Sequence, residues 1–118
     1  MALKMRKNMS PDLPGPCNLT VCMQVISGQW AANVIWCLRG GPRRFSELRS
    51  DIPPISAKVL SARLSELQSK GVITRTVMET SPPSVEYALT EIGAELIPAI
   101  EGLVAVGHKL KLMKELPA

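Results

Sequence analysis

The sequence predicts a mainly α-helical fold with one small β-hairpin, and three observations carry that reading. Apolar residues recur at helical spacing over most of the chain, with Leu60, Leu64 and Leu67 at i, i+4, i+7 the cleanest case. Between Val72 and Leu89 the period falls to two. Turn-forming residues cluster between those stretches, at Gly40-Gly41-Pro42, Pro53-Pro54, Gly71 and Ser81-Pro82-Pro83-Ser84.

Taken in order, residues 1–16 read as a flexible arm with prolines and a glycine in its second half, followed by one domain over residues 17–114. A helical pattern starts at Leu19, runs through Val21, Cys22, Val25 and Ile26, and is interrupted by Ser27-Gly28. A second helix is expected from about Gln29 to Arg39, where Trp30, Val34 and Leu38 recur at i, i+4, i+8 and Ala31 and Ile35 widen the stripe. Gly40-Gly41-Pro42 stops it. A short helix from about Arg44 to Ser50 points Phe45 and Leu48 inward. After the Ile52-Pro53-Pro54-Ile55 turn, Ser56 is an N-cap for a helix that ends at Lys70-Gly71.

In the hairpin, Val72, Thr74, Thr76 and Met78 alternate with Ile73, Arg75 and Val77, and Val85, Tyr87 and Leu89 alternate with Glu86 and Ala88. Thr90 then caps a last helix with Glu91 in its first turn, a bend expected at Pro98, and Lys109, Lys111 and Lys114 near its end. Helix, helix, short helix, turn, helix, hairpin, helix is the order of a winged helix-turn-helix. With Leu60, Leu64 and Leu67 facing inward, the opposite face of the fourth helix carries Lys58, Ser61, Ala62, Ser65 and Ser69. A small polar face of this kind fits a DNA major groove ~12 Å wide.

Charge placement agrees. The chain of 118 residues carries a formal net charge of +4. Residues 39–75 hold eight basic residues (Arg39, Arg43, Arg44, Arg49, Lys58, Arg63, Lys70, Arg75) against Glu47, Asp51 and Glu66, and the remainder is nearly neutral. Such a basic segment is the pattern expected where protein meets a polyanion. Four aromatic residues (Trp30, Trp36, Phe45, Tyr87) are too few for a single-strand stacking platform. From these features Arg43, Arg44, Arg49, Ser56, Lys58, Ser61, Ser65 and Arg75 are the candidate DNA-binding residues.

Other chemistry finds little support. His108 is the single histidine, and Cys17, Cys22 and Cys37 offer at most three thiolates with no fourth ligand close in sequence, so neither a metal nor a cofactor is expected. No nucleophile triad, paired carboxylates or phosphate-cradling loop stands out, and the sequence predicts no enzyme. Sparse, odd-numbered cysteines fit a reducing cytoplasm. No apolar run follows the charges at Lys4, Arg6 and Lys7, and none reaches the ~20 residues of a membrane span.

Three segments carry a family likeness: Gly41-Pro42-Arg43-Arg44-Phe45-Ser46-Glu47-Leu48-Arg49, the stretch from Ile55 through Leu67 with Gly71-Val72-Ile73-Thr74-Arg75, and the run from Pro82 to Gly93. Together they resemble HxlR-type transcriptional regulators over about residues 17–107. The resemblance implies a homodimeric, cytoplasmic, bacterial or archaeal regulator that binds double-stranded DNA. The alternative is a winged-helix protein-interaction module without DNA binding. Ser84 stands where the family often has a basic residue, and no Lys or Arg occurs from Thr76 to His108. Gln29 and Val106 replace a usual lysine and a usual aromatic.

A surplus of apolar residues in the last helix, among them Ile97, Ile100, Leu103, Val104, Leu110 and Leu112, predicts a homodimer through the first and last helices. Cys17, at the joint of arm and first helix, is the candidate sensor of oxidants or electrophiles: a helix N-terminus favours thiolate. The resemblance supports it, since some members sense through a cysteine at this position, although Asn18 follows where proline is usual. Cys22 and Cys37 are expected to be buried packing.

Overall fold

A computed structural model describes residues 17–115. The elements run α1 (Asn18–Ile26), α2 (Ala31–Cys37) with a 3-10 turn (Leu38–Gly40), β1 (Arg43–Arg44), α3 (Phe45–Asp51), α4 (Ala57–Ser69), β2 (Ile73–Met78), β3 (Ser84–Leu89) and α5 (Glu91–Glu115). The expected arm, residues 1–16, lies outside the described residues.

The core forms where the helical stripes converge. Ala31, Val34, Ile35 and Leu38 from α2 and its 3-10 extension meet Leu48 of α3, and Leu60, Leu64 and Leu67 of α4. Ile52 and Ile55, either side of the proline pair, are buried too, so the turn between α3 and α4 is pinned at both ends. Its tightness is set by the Ile55 N–H donating to the Ile52 carbonyl at 2.9 Å. Phe45, expected inward with Leu48, is half-buried against this core.

Local chemistry starts and stops the helices. The Ser56 hydroxyl accepts from the Val59 N–H at 3.1 Å and begins α4. Gly71, with φ of 80°, ends it in a left-handed conformation that costs a glycine little. Thr90 has two jobs: its hydroxyl accepts from the Gly93 N–H at 3.1 Å, capping α5, and donates to the Gly71 carbonyl at 2.8 Å. The start of α5 is thereby tied to the end of α4. α5 continues through Pro98 to Glu115.

Two features differ from the sequence reading. Trp30 is not helical: its φ of 68° places it in a left-handed turn that ends just before α2. The reason is geometric, because α1 and the α2 segment meet at 80° and only residues 27–30 are left to turn the chain. The hairpin is also part of a larger sheet. Arg43 and Arg44 form a third strand, giving the antiparallel order β1-β3-β2 with Arg43 opposite Tyr87 and Arg44 opposite Glu86.

Candidate nucleic-acid interface

α3, the turn and α4 form a helix-turn-helix, and the burial of α4 decides which side it presents. Because Leu60, Leu64 and Leu67 are within 2 % of fully buried, Lys58, Ser61, Ala62, Ser65 and Ser69 are turned out, and all five are exposed. The first of these, Lys58, lies in the first turn of the helix, the end that reaches base edges when such a helix enters a major groove. Ser56 is exposed as well, and its hydroxyl is committed to capping.

The eight arginines and lysines of the basic segment divide into two groups. Arg43 forms ion pairs with Asp51, at the far end of α3, and with Glu47 at 4.0 Å. It spans α3 from one end to the other, and its charge is locally neutralised. Arg63 pairs with Glu66 at 2.7 Å, while Lys70 donates to a main-chain carbonyl. Arg39 lies 4.1 Å over the Trp36 ring and bonds the Trp36 carbonyl. Arg44, Arg49, Lys58 and Arg75 are exposed and, among the described residues, make no ion pair.

Those four do not form one patch. Residues directly opposite in a ladder share a face. Arg75, opposite Tyr87 and two positions from buried Ile73, therefore lies on the helix-side face of the sheet. Arg44, opposite Glu86, lies on the other face. The Arg44 N–H also donates to the Glu47 carboxylate at 2.8 Å, which completes the start of α3 from the acidic side, since an arginine side chain has no acceptor to return the favour. Beyond Arg75 the hairpin carries Glu79 and Glu86 and no cation, so its tip offers nothing positive to a phosphate.

Sequence reasoning missed the tied states of Arg43, Arg63 and Lys70. The signal for Arg43 was available, since Glu47 and Asp51 follow it at i+4 and i+8. Of the cysteines, Cys17 and Cys22 are exposed and Cys37 is half-buried. The exposure of Cys22 corrects the expectation of packing: α1 has an apolar side, but no residue of α1 is buried within the protomer. Burial pushes the Cys37 thiol above its ordinary range, with Asp51 adding to the rise. Among the described residues no cluster of His, Cys, Asp and Glu could hold a metal ion, and no single helix is long and apolar enough to cross a membrane.

A helix-turn-helix followed by a β-hairpin, with a polar, cation-led outer helix, defines a winged helix DNA-binding protein of the transcription-regulator class. Residues 25–115 match the HxlR-like helix-turn-helix family, and the chain belongs to it. It is 41% identical over 91 residues to an HTH-type transcriptional regulator of Methanothermobacter thermautotrophicus, covering 77% of this chain and 70% of that one. The redox regulator HypR in its oxidised form superposes with a TM-score of 0.75 at 33% identity, over 79% of this chain and 96% of HypR. The reduced transcriptional regulator YodB from Bacillus subtilis does so with a TM-score of 0.69 at 33% identity, over 77% and 90% of the two chains. YodB has also been solved diamide-treated and quinone-bound.

Proposed function

We propose that this regulator binds a specific double-stranded DNA sequence as a homodimer, with the outer face of α4 in the major groove. The carrying observation is that Lys58, Ser61 and Ser65 are exposed on one helix face while Leu60, Leu64 and Leu67 anchor the other. Ser61 and Ser65 read base edges, Lys58 reads bases or phosphate, and Arg49 and Arg75 hold phosphates alongside. Arg44 adds a weaker phosphate contact, since Glu86 faces it across the strands. Arg43 contributes shape rather than charge. The test is retardation of duplex DNA across a salt series. Log affinity is expected to fall with log salt at about −0.9 per phosphate neutralised, and a selected duplex is expected to outcompete a random one. Failure to retard any duplex overturns the proposal and leaves the protein-interaction reading.

The homodimer is supported by what the protomer leaves uncovered. Leu103, Val104, Val106, Leu110, Leu112 and Met113 of α5 are each 47–69% exposed, as are Leu19, Val21 and Met23 of α1 at 42–66%. Ala32, Asn33 and Trp36 of α2 with Ile100, Leu103 and Val104 of α5 line an open, largely apolar hollow of about 210 Å³. Single exposed apolar residues are ordinary; two helices of them are an interaction surface.

Cys17 is the proposed input. It is exposed at the N-cap of α1, on the helix assigned to the dimer. The redox chemistry of HypR and the quinone-bound form of YodB favour a thiol as the sensing group in this chain too. Cys17→Ser is expected to bind DNA as wild type does and to lose any response to a thiol-directed electrophile; an unchanged response places the switch elsewhere. The proposed DNA binding and thiol sensing are both consistent with a cytoplasmic protein.

A further inference from the structure

α1 packs against the core at one end only. Val25 and Ile26, in its last turn, are half-buried against the core, whereas no residue of α1 is fully buried. At that same end two cations arrive from α4. Lys70, the C-cap of α4, donates from Nζ to the Gln24 carbonyl at 2.6 Å, and Arg63 donates from Nε to the Gln29 carbonyl at 2.8 Å. Both acceptors are groups that need an outside donor. Gln24 lies in the last turn of α1, where carbonyls have no intrahelical partner and a cation is favoured, and α1 has no basic residue of its own there. Gln29 lies in the turn that Trp30 closes. A second Arg63 nitrogen is held by Glu66 at 2.7 Å, so the planar guanidinium is oriented from both sides. The side chain also lies along Gly28, where an added Cβ would stand 3.7 Å from Nε.

We propose that Arg63 and Lys70 are positioning residues for DNA recognition: they fix α1 against α4, and so set the separation of the two recognition helices in the dimer. The inference rests on the dimeric DNA-binding reading above. α4 is anchored in the core, and α1, with α5, belongs to the proposed dimer surface. The angle between α1 and α4 therefore helps set the reading head against the symmetry partner. Two half-sites must lie ~34–36 Å apart, or a multiple of it. Any swing of α1 on α4 is doubled by the two-fold, so loosening this joint spreads the spacing without altering what each α4 reads.

The experiment selects binding sites from a random duplex pool with the full chain, as wild type and as the Arg63→Met, Lys70→Met double variant. Wild type is expected to select paired half-sites at one spacing. The double variant is expected to select the same half-site sequence but to lose at least about tenfold in preference for that spacing, since one charge-assisted hydrogen bond is on that scale and two are removed. Lys70→Arg, which keeps the donor, is expected to restore the single spacing in the Lys70 position. A double variant that keeps the wild-type spacing preference within about twofold, or that loses the half-site sequence itself, overturns the proposal. Selection of no paired site by wild type overturns the dimeric reading as well. If the double variant melts below the assay temperature, Lys70→Met alone, at an exposed position, is judged by the same outcomes.

Discussion

Ser56 and Gly93 are small residues that resist substitution by alanine, for opposite reasons. Ser56→Ala removes the bond to the Val59 N–H and is expected to cost about 1 kcal/mol. For a domain of this size that lowers Tm by roughly 4–8 °C in a circular-dichroism melt. Gly93→Ala adds rather than removes: its Cβ would stand 2.0 Å from the Val72 carbonyl oxygen, and backbone cannot step aside as a side chain can. The same carbonyl accepts from the Thr90 N–H at 3.0 Å, so the start of α5 must move off the backbone that leads into β2. A loss of about 3 kcal/mol, with a melt well below that of Ser56→Ala, is expected. At Cys37, burial first and Asp51 second raise the thiol pKa. Folding therefore holds the proton more tightly than the unfolded chain does, and stability is expected to fall as pH rises past the ordinary thiol range. Alkylation at neutral pH is accordingly expected at Cys17 and Cys22 first and Cys37 last, read by mass spectrometry of timed samples.

At the scale of elements, the proposed DNA contacts fall on α3 and α4, and their cations can be ranked. Arg49→Ala and Lys58→Ala are each expected to flatten the salt dependence by about 0.9 per protomer, and Arg49→Ala to weaken all duplexes alike. Arg44→Ala is expected to do less, because Glu86 lies across the ladder from it. Ser61→Ala is expected to change sequence preference at one position per half-site while leaving the salt dependence unchanged. Equal salt slopes for Arg44→Ala and Lys58→Ala would contradict this ranking. The elements themselves were largely legible in the sequence. α4 could be placed to within a residue because its stripe, its serine cap and its terminal glycine are all local signals. β1 could not, since two residues say nothing of a strand until a partner 42 or more positions away pairs with them. Arg63 and Lys70 looked like more of the basic face for the same reason: their acceptors lie 34 and 46 residues back in the chain. Trp30 matched the helical spacing of Val34 and Leu38, and only the 80° turn between helices shows why it is not part of that helix.

As a whole molecule the protomer leaves one long helix uncovered: the far half of α5 lies exposed from Glu101 to Lys114. Leu110→Glu puts a charge where the protomer has no core, at a residue 53% exposed. It is expected to halve the mass by light scattering while leaving the helical content unchanged; a monomeric wild type at micromolar concentration would remove the basis for the dimer. The sheet has a consequence of its own at this scale. In the order β1-β3-β2 the six residues of β2 pair on one side only, so the outer edge presents unused N–H and C=O groups. Such an edge is a template on which another molecule can add its own strand. Val77, 55% exposed, would favour that growth, and Arg75 is the charge that interrupts the stretch. A charge at this place opposes such growth, whatever Arg75 does at DNA. Arg75→Val is expected to turn concentrated protein turbid after a lag and to raise thioflavin fluorescence, whereas Arg75→Lys is expected to stay clear, as a charge that keeps copies of the protein apart requires.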